Sequence, residues 1–121
     1  MNNIREYLKL SRTGLKGKFL NFTGKSGDHW ISIIPSLNVS GYGDTEQDSI
    51  KDLEYNLKIL CEDLFSLNET QRDLELKKMG WERNKIFKKQ YSSAYVDENG
   101  VLQNFDSPSQ VKKSILEPSS L

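Results

Sequence analysis

Apolar residues at Ile50, Leu53, Leu57, Leu60 and Leu64 recur at steps of three and four, which predicts one long amphipathic helix running from just after Thr45 to Leu67. Asp44 and Thr45 offer side-chain oxygens to the free N–H groups of its first turn, and Glu46 and Asp48 sit where the helix dipole favours negative charge. At roughly 100° per residue, Tyr55 and Ile59 fall about 180° from the Leu57 stripe while lying one turn from each other. Two readings stand for this pair. Single exposed apolar residues are common, and a paired set also suits a contact surface for a second subunit or for the chain's own C-terminal half.

His29-Trp30-Ile31-Ser32-Ile33-Ile34 is a β-branched and aromatic run stopped by Pro35, which predicts a strand. Ile31 and Ile33 lie on one face and Trp30 and Ile34 on the other, so the strand is expected to be central and covered on both sides. The long helix is one cover, and a second element or a second copy is the other. Lys18–Thr23 is predicted to pair with it as an antiparallel hairpin through the turn at 24–28, and a third short strand is expected at Asn38–Tyr42. Residues 1–17 suit both a helical and an alternating pattern and are expected to be weakly ordered or an added edge strand.

Asn68, with Gln71 three residues on, caps a predicted second helix through Leu74, Leu76 and Met79. Gly80 ends it, and Trp81 is placed to fold back on its last turn. From Arg83 to Phe105 the pattern returns to strands, with Asp97-Glu98-Asn99-Gly100 as the tight turn of a hairpin between 94–96 and 101–102. The expected fold is α+β: a small antiparallel sheet with one long amphipathic helix packed across it, then a short helix and a C-terminal β-hairpin. One domain is expected over 1–105, divided into a core at 18–67 and a helix plus hairpin at 68–105. Residues 106–121, with their Ser-Pro and Pro-Ser-Ser steps, are expected to form a flexible tail.

Charge changes the picture through its distribution. The 121 residues carry 17 basic and 17 acidic side chains, a length suited to one domain of ordinary size. Residues 44–75 hold ten acidic against three basic groups, and residues 76–90 hold six basic against one acidic. Opposed patches of this kind let a polyanion bind locally despite zero net charge. Lys77, Lys78, Arg83, Lys85, Lys88 and Lys89 are interleaved with Trp81, Phe87 and Tyr91. That combination suits a solvated face, a contact surface for a phosphate backbone, or a docking site for the acidic helix.

Candidate chemistry is sparse. Catalysis near neutral pH usually employs a histidine, and His29 stands alone in the sequence at the start of a strand. One histidine and one cysteine give no zinc spacing and no nucleophilic set. The carboxylates after Asp44 are explained by helix capping and solvation. Gly24-Lys25-Ser26 lacks the earlier glycine and the following helix of a phosphate loop. The single cysteine, Cys61, lies near the Leu57 stripe and is expected to be a buried thiol, and being alone it allows no disulfide framework within the chain. No apolar stretch is long enough to span a bilayer, and no apolar leader is seen, so a reducing, cytoplasmic setting is expected, with no cofactor and no membrane.

Over Lys18 to about Leu64 the chain resembles the HicB-type antitoxin family of bacterial toxin–antitoxin systems. The residues that carry the resemblance are Ile34-Pro35-Ser36-Leu37, where the family has Phe-Pro-Asp-Leu, and Gly43-Asp44-Thr45 opening the helix, followed by Asp48-Ser49 where the family has Glu-Ala. The resemblance implies a sheet crossed by one helix, assembly into homo-oligomers, and binding to a small RNA-cleaving toxin. Many members add a C-terminal DNA-binding module, but no helix-turn-helix or ribbon-helix-helix pattern follows Leu67. Leu76–Trp81 and the strands after it echo the toxin itself without its Gly-Ser-His step, so nuclease activity is not implied.

The sequence thus points to a non-catalytic HicB-like binding protein that presents Trp30, Tyr55 and Ile59 to a small toxin-like protein. The alternative is a DNA- or RNA-binding protein using Lys77, Lys78, Arg83, Lys85, Lys88, Lys89, Trp81 and Tyr91.

Overall fold

The computed structural model describes residues 6–11, 14–83, 90–93 and 98–118. Its strands are β1 (Tyr7–Ser11), β2 (Gly14–Ser26), β3 (His29–Ile34), β4 (Val39–Gly43), β5 (Trp81–Arg83), β6 (Gln90–Ser93) and β7 (Lys112–Leu116). Its α-helices are α1 (Glu46–Ser66), α2 (Glu69–Lys78) and α3 (Glu98–Leu102), with single 3₁₀ turns at Pro35–Leu37 and Pro108–Gln110. The strands form one antiparallel sheet in the order β4-β3-β2-β1-β6-β5, with β7 also paired to β2. The fold is α+β, with α1 lying across the sheet.

Local chemistry accounts for the helix boundaries. Thr45 Oγ1 accepts the Asp48 N–H at 3.1 Å, and Asn68 Oδ1 accepts the Gln71 N–H at 2.8 Å, so both helices open on the side-chain caps their sequences offer. Asn38, in the left-handed region at φ 52°, ends the turn at Pro35–Leu37 and aims the chain into β4.

Alternation along the strands divides the core in two. Leu8, Leu10, Leu15, Phe19, Ile34 and Val39 face α1 and bury with Leu53, Leu57, Cys61 and Leu64, joined by Leu76, Trp81 and Tyr91. On the opposite face Leu20, Phe22 and Ile31 pack with Val101 and Phe105. The second cover of β3 is therefore the chain's own C-terminal segment. Of the apolar residues along α2, Leu76 supplies the buried contact and Leu74 is 54% exposed.

Gly41 and Gly43 set the distance between α1 and the sheet. A Cβ on Gly41 would stand 2.2 Å from the backbone nitrogen of Leu53, and one on Gly43 would stand 2.5 Å from Asp48 Cβ. Beneath the same turns the side chains are small hydroxyls: Thr23 Oγ1 to Ser32 Oγ at 2.7 Å, then Ser32 Oγ to Ser49 Oγ at 3.2 Å. The helix backbone thus rests almost directly on β4.

Four segments differ from the sequence expectation. β2 begins at Gly14 rather than Lys18, and β1 lies inside the sheet between β2 and β6, because Leu8 and Leu10 alternate into the core under α1. The short helix is followed by a strand pair, β5 with β6, but the tight turn expected at 97–100 is not there. Glu98–Leu102 is helical, since burying Val101 and Phe105 on Leu20 and Phe22 outweighs the local Asn-Gly preference. Residues 94–97 lie outside the described residues. The stretch expected as a tail from Asp106 carries β7, which pairs with Phe19–Thr23 and places Leu116 against the main core.

Gly41→Ala should lower stability by more than about 2 kcal/mol in urea unfolding, because backbone and not a movable side-chain tip meets the new methyl. Gly27→Ala, at φ 63° with open space around it, should cost only about 1 kcal/mol.

Candidate functional site

The inner side of α1 is spent on Ser49, Leu53, Leu57, Cys61 and Leu64. Its outer side repeats at steps of four and three through Asp48, Asp52, Tyr55, Ile59, Glu62 and Ser66, the spacing of a contact stripe between helices. Tyr55 is 63% exposed and Ile59 38%, an apolar centre with exposed carboxylates of Asp48, Glu54, Glu62 and Asp63 around it and only Lys51 and Lys58 as exposed cations of that helix. Trp30, expected to join them, sits half-buried in β3 with Lys25 Nζ 6.0 Å from its ring centroid. The structure therefore brings Tyr55 and Ile59 together and leaves Trp30 apart.

Two side chains of α1 turn toward the sheet edge. Asp52 accepts the Tyr42 N–H at 2.9 Å, and Asn56 Nδ2 donates to the Ser40 carbonyl at 2.8 Å. Both backbone groups point away from β3, so the helix caps the outer edge of β4 against a further strand. Docking at this side must accordingly use side chains rather than strand addition.

The second cluster lies between α2 and the β5–β6 pair, around a hollow of about 440 Å³ lined in part by Asp73, Lys77, Trp81, Arg83 and Tyr91. Arg83 reaches Glu69 at 3.0 Å and Asp73 at 3.0 Å, and its Nη2 donates to the Tyr91 hydroxyl at 3.0 Å. That hydroxyl donates in turn to Asp73 at 2.6 Å. Hydrogen bonds to Glu69 and Tyr91 hold the guanidinium above its ordinary pKa, and burial, then the bond to Asp73, raises that of Tyr91. Arg83 is thus neutralised within its own chain.

Trp81 does not serve as a platform for a base: it is 1% exposed, packs edge-on to Phe19, and its indole N–H donates to the Ser36 carbonyl at 2.7 Å. Tyr91, at 2% exposed, is equally withdrawn. Lys77 and Lys78 remain exposed on α2, with Lys78 paired to Glu75 at 3.1 Å. Lys85, Lys88 and Lys89 lie outside the described residues. Of the basic and aromatic set expected to meet a nucleic acid, the described members therefore divide between core, internal ion pairs and an ordinary helix surface.

No known protein family, curated protein or solved structure matches this chain. What the site can do follows from its own groups. His29 Nδ1 lies 3.5 Å from Asp44 Oδ1 in an exposed pair, and burial pushes the Cys61 thiol up. Among the described residues no group of three or more His, Cys, Asp or Glu side chains could hold a metal ion, and no helix is long and apolar enough to cross a membrane. The exposed apolar pair on α1 is visible in the sequence as a periodicity, whereas the carboxylates around it read there as capping and solvation. The capping of β4 by Asp52 and Asn56 was not, because it depends on where the helix lies.

Replacing Asp52 and Asn56 together by Ala should free the β4 edge and produce concentration-dependent association in light scattering. Tyr91→Phe should cost about 1–2 kcal/mol near neutral pH. Because its pKa is raised in the folded state, Tyr91 contributes fully below about pH 10, the unfolded value, and its contribution falls above it. The gap between the wild type and Tyr91→Phe should therefore narrow in unfolding experiments at alkaline pH.

Proposed function

We propose that this protein is a non-catalytic binding protein, HicB-like over residues 18–64, that docks a small basic protein on the outer face of α1. Its support is the pairing of Tyr55 and Ile59 on a helix whose other side is already filled by the core. Fully burying an exposed apolar side chain contributes about 1.5–3 kcal/mol, and the share still exposed on Tyr55 and Ile59 sets how much of that the pair adds to an interface. The rim of Asp48, Glu54, Glu62 and Asp63 selects a partner of opposite charge, and its longer-range field speeds encounter.

The same rim disfavours a second copy at this face. Two α1 helices laid together would bring acidic ends of the stripe near acidic ends whether they ran parallel or antiparallel, since Asp48 and Asp52 precede the apolar pair and Glu62 follows it. A basic partner of the RNA-cleaving toxin class, which the HicB resemblance implies, satisfies both the apolar centre and the charge. The order of strands β2, β3 and β4 followed by α1, with Gly43 just before the helix, agrees with that resemblance.

The test is co-expression of the full chain with the product of the neighbouring reading frame, which this reading expects to be small and basic, followed by size-exclusion chromatography and an RNA-cleavage assay. A complex should form and cleavage should stop. Tyr55→Asp or Ile59→Asp, each with an unchanged circular dichroism spectrum, should weaken the complex at least about 30-fold. Equal binding by wild type and variants, or no complex at all, would sink the proposal.

A further inference from the structure

The sheet has two faces, and α1 covers one. Leu8, Leu10, Leu15 and Phe19 belong to the core beneath the helix, so the residues alternating with them, Tyr7, Lys9, Lys16 and Lys18, stand on the other face. The β1–β2 register puts Lys9 directly opposite Lys16 and Tyr7 directly opposite Lys18. Val101 and Phe105 pack further along this face, with Leu20, Phe22 and Ile31. The end that carries the lysines is open: Lys9 and Lys16 are exposed and Tyr7 is half-exposed.

Like charges set directly opposite on an antiparallel pair repel and weaken it. Among the described residues no carboxylate forms an ion pair with Lys9 or Lys16. Lys18 has Glu117 at 3.4 Å, with side chains 39% and 60% exposed, a water-screened pair that an incoming anion can displace. Around the Tyr7 ring, Lys9 and Lys16 thus lack a carboxylate partner among the described residues and Lys18 has only an exposed one, whereas Arg83 has two carboxylates of its own.

We infer that this end of the outer sheet face binds single-stranded nucleic acid, with phosphates on Lys9, Lys16 and Lys18 and a base against Tyr7. Sheet surfaces hold unpaired strands in this manner, cations following the backbone while aromatic rings take the bases, whose faces are available only when unpaired. A membrane surface fits less well, because no large apolar side chain among these four projects fully to enter a bilayer. The site lies across the sheet from Tyr55 and Ile59, so it stands or falls independently of the α1 interface.

Fluorescence anisotropy with a labelled oligouridine and the full chain tests this. Binding should weaken about 20-fold between 50 and 200 mM salt, as about three phosphate contacts on a single strand require. Lys9→Glu with Lys16→Glu should abolish it, Lys9→Gln with Lys16→Gln should weaken it should the reversal misfold, and Tyr7→Leu should weaken it about fivefold. Lys77→Glu with Lys78→Glu, and Tyr55→Asp, should leave it unchanged. Absence of binding at 50 mM salt, indifference to both Lys9/Lys16 pairs, loss through Lys77 and Lys78, or capture by phosphatidylserine vesicles in place of the oligonucleotide would each overturn the inference.

Discussion

The closeness with which α1 lies on β4 governs the rest of the molecule. Gly41 and Gly43 leave no side chain between helix backbone and strand, and Ser32 and Ser49 meet beneath the first turns through hydroxyls rather than branched carbons. Dense packing of this kind tolerates little added volume. It also fixes the rotation of the helix, because the glycines accept only its small-residue side. Leu53, Leu57, Cys61 and Leu64 then point into the main core, and Tyr55 and Ile59 are turned outward.

The same placement brings Asp52 and Asn56 within hydrogen-bonding distance of Tyr42 N–H and the Ser40 carbonyl. An edge strand that would otherwise present free backbone groups is capped by the helix that packs on it. The exposed side of α1 is consequently a surface of side chains: an apolar pair with carboxylates around it. Across the sheet, the end formed by β1 and the start of β2 carries lysines. Near-neutral composition thus conceals two surfaces of opposite sign, with the helix and the sheet between them.

The C-terminal half completes the core instead of forming a separate appendage. Trp81 seals the end of the main core, with its indole N–H on Ser36 O, and Ser36 also donates to the buried Glu6 carboxylate at 2.6 Å. The Leu20 N–H reaches that same carboxylate at 3.0 Å. Buried polar groups are costly unless hydrogen-bonded, and here one turn after β3 ties β2, the start of β1 and β5 together. Further on, α3 closes over the second face, where Lys113 bonds Glu98, while β7 pairs with β2 in the sheet and its Lys112 bonds Glu46 of α1 at 3.0 Å.

The long helix, its caps, the β3 strand and the exposed Tyr55–Ile59 pair were legible in the amino-acid sequence, because periodicity and capping act between residues close along the chain. The burial of Trp81 was legible in part, since Gly80 marks the end of α2. Other features depended on contacts between distant segments. Lys112–Leu116 has little strand pattern and gains its conformation from main-chain bonds to β2. Glu98–Leu102 carries a local turn signal that the burial of Val101 and Phe105 overrides. The opposition of Lys9 and Lys16 likewise exists only once β1 and β2 take their register. Sequence by itself determined which local elements form and which of their faces are apolar; tertiary structure decided which polar groups are consumed internally and which remain for a partner, because hydrogen bonds and ion pairs between remote residues require the chain to be folded before they can form.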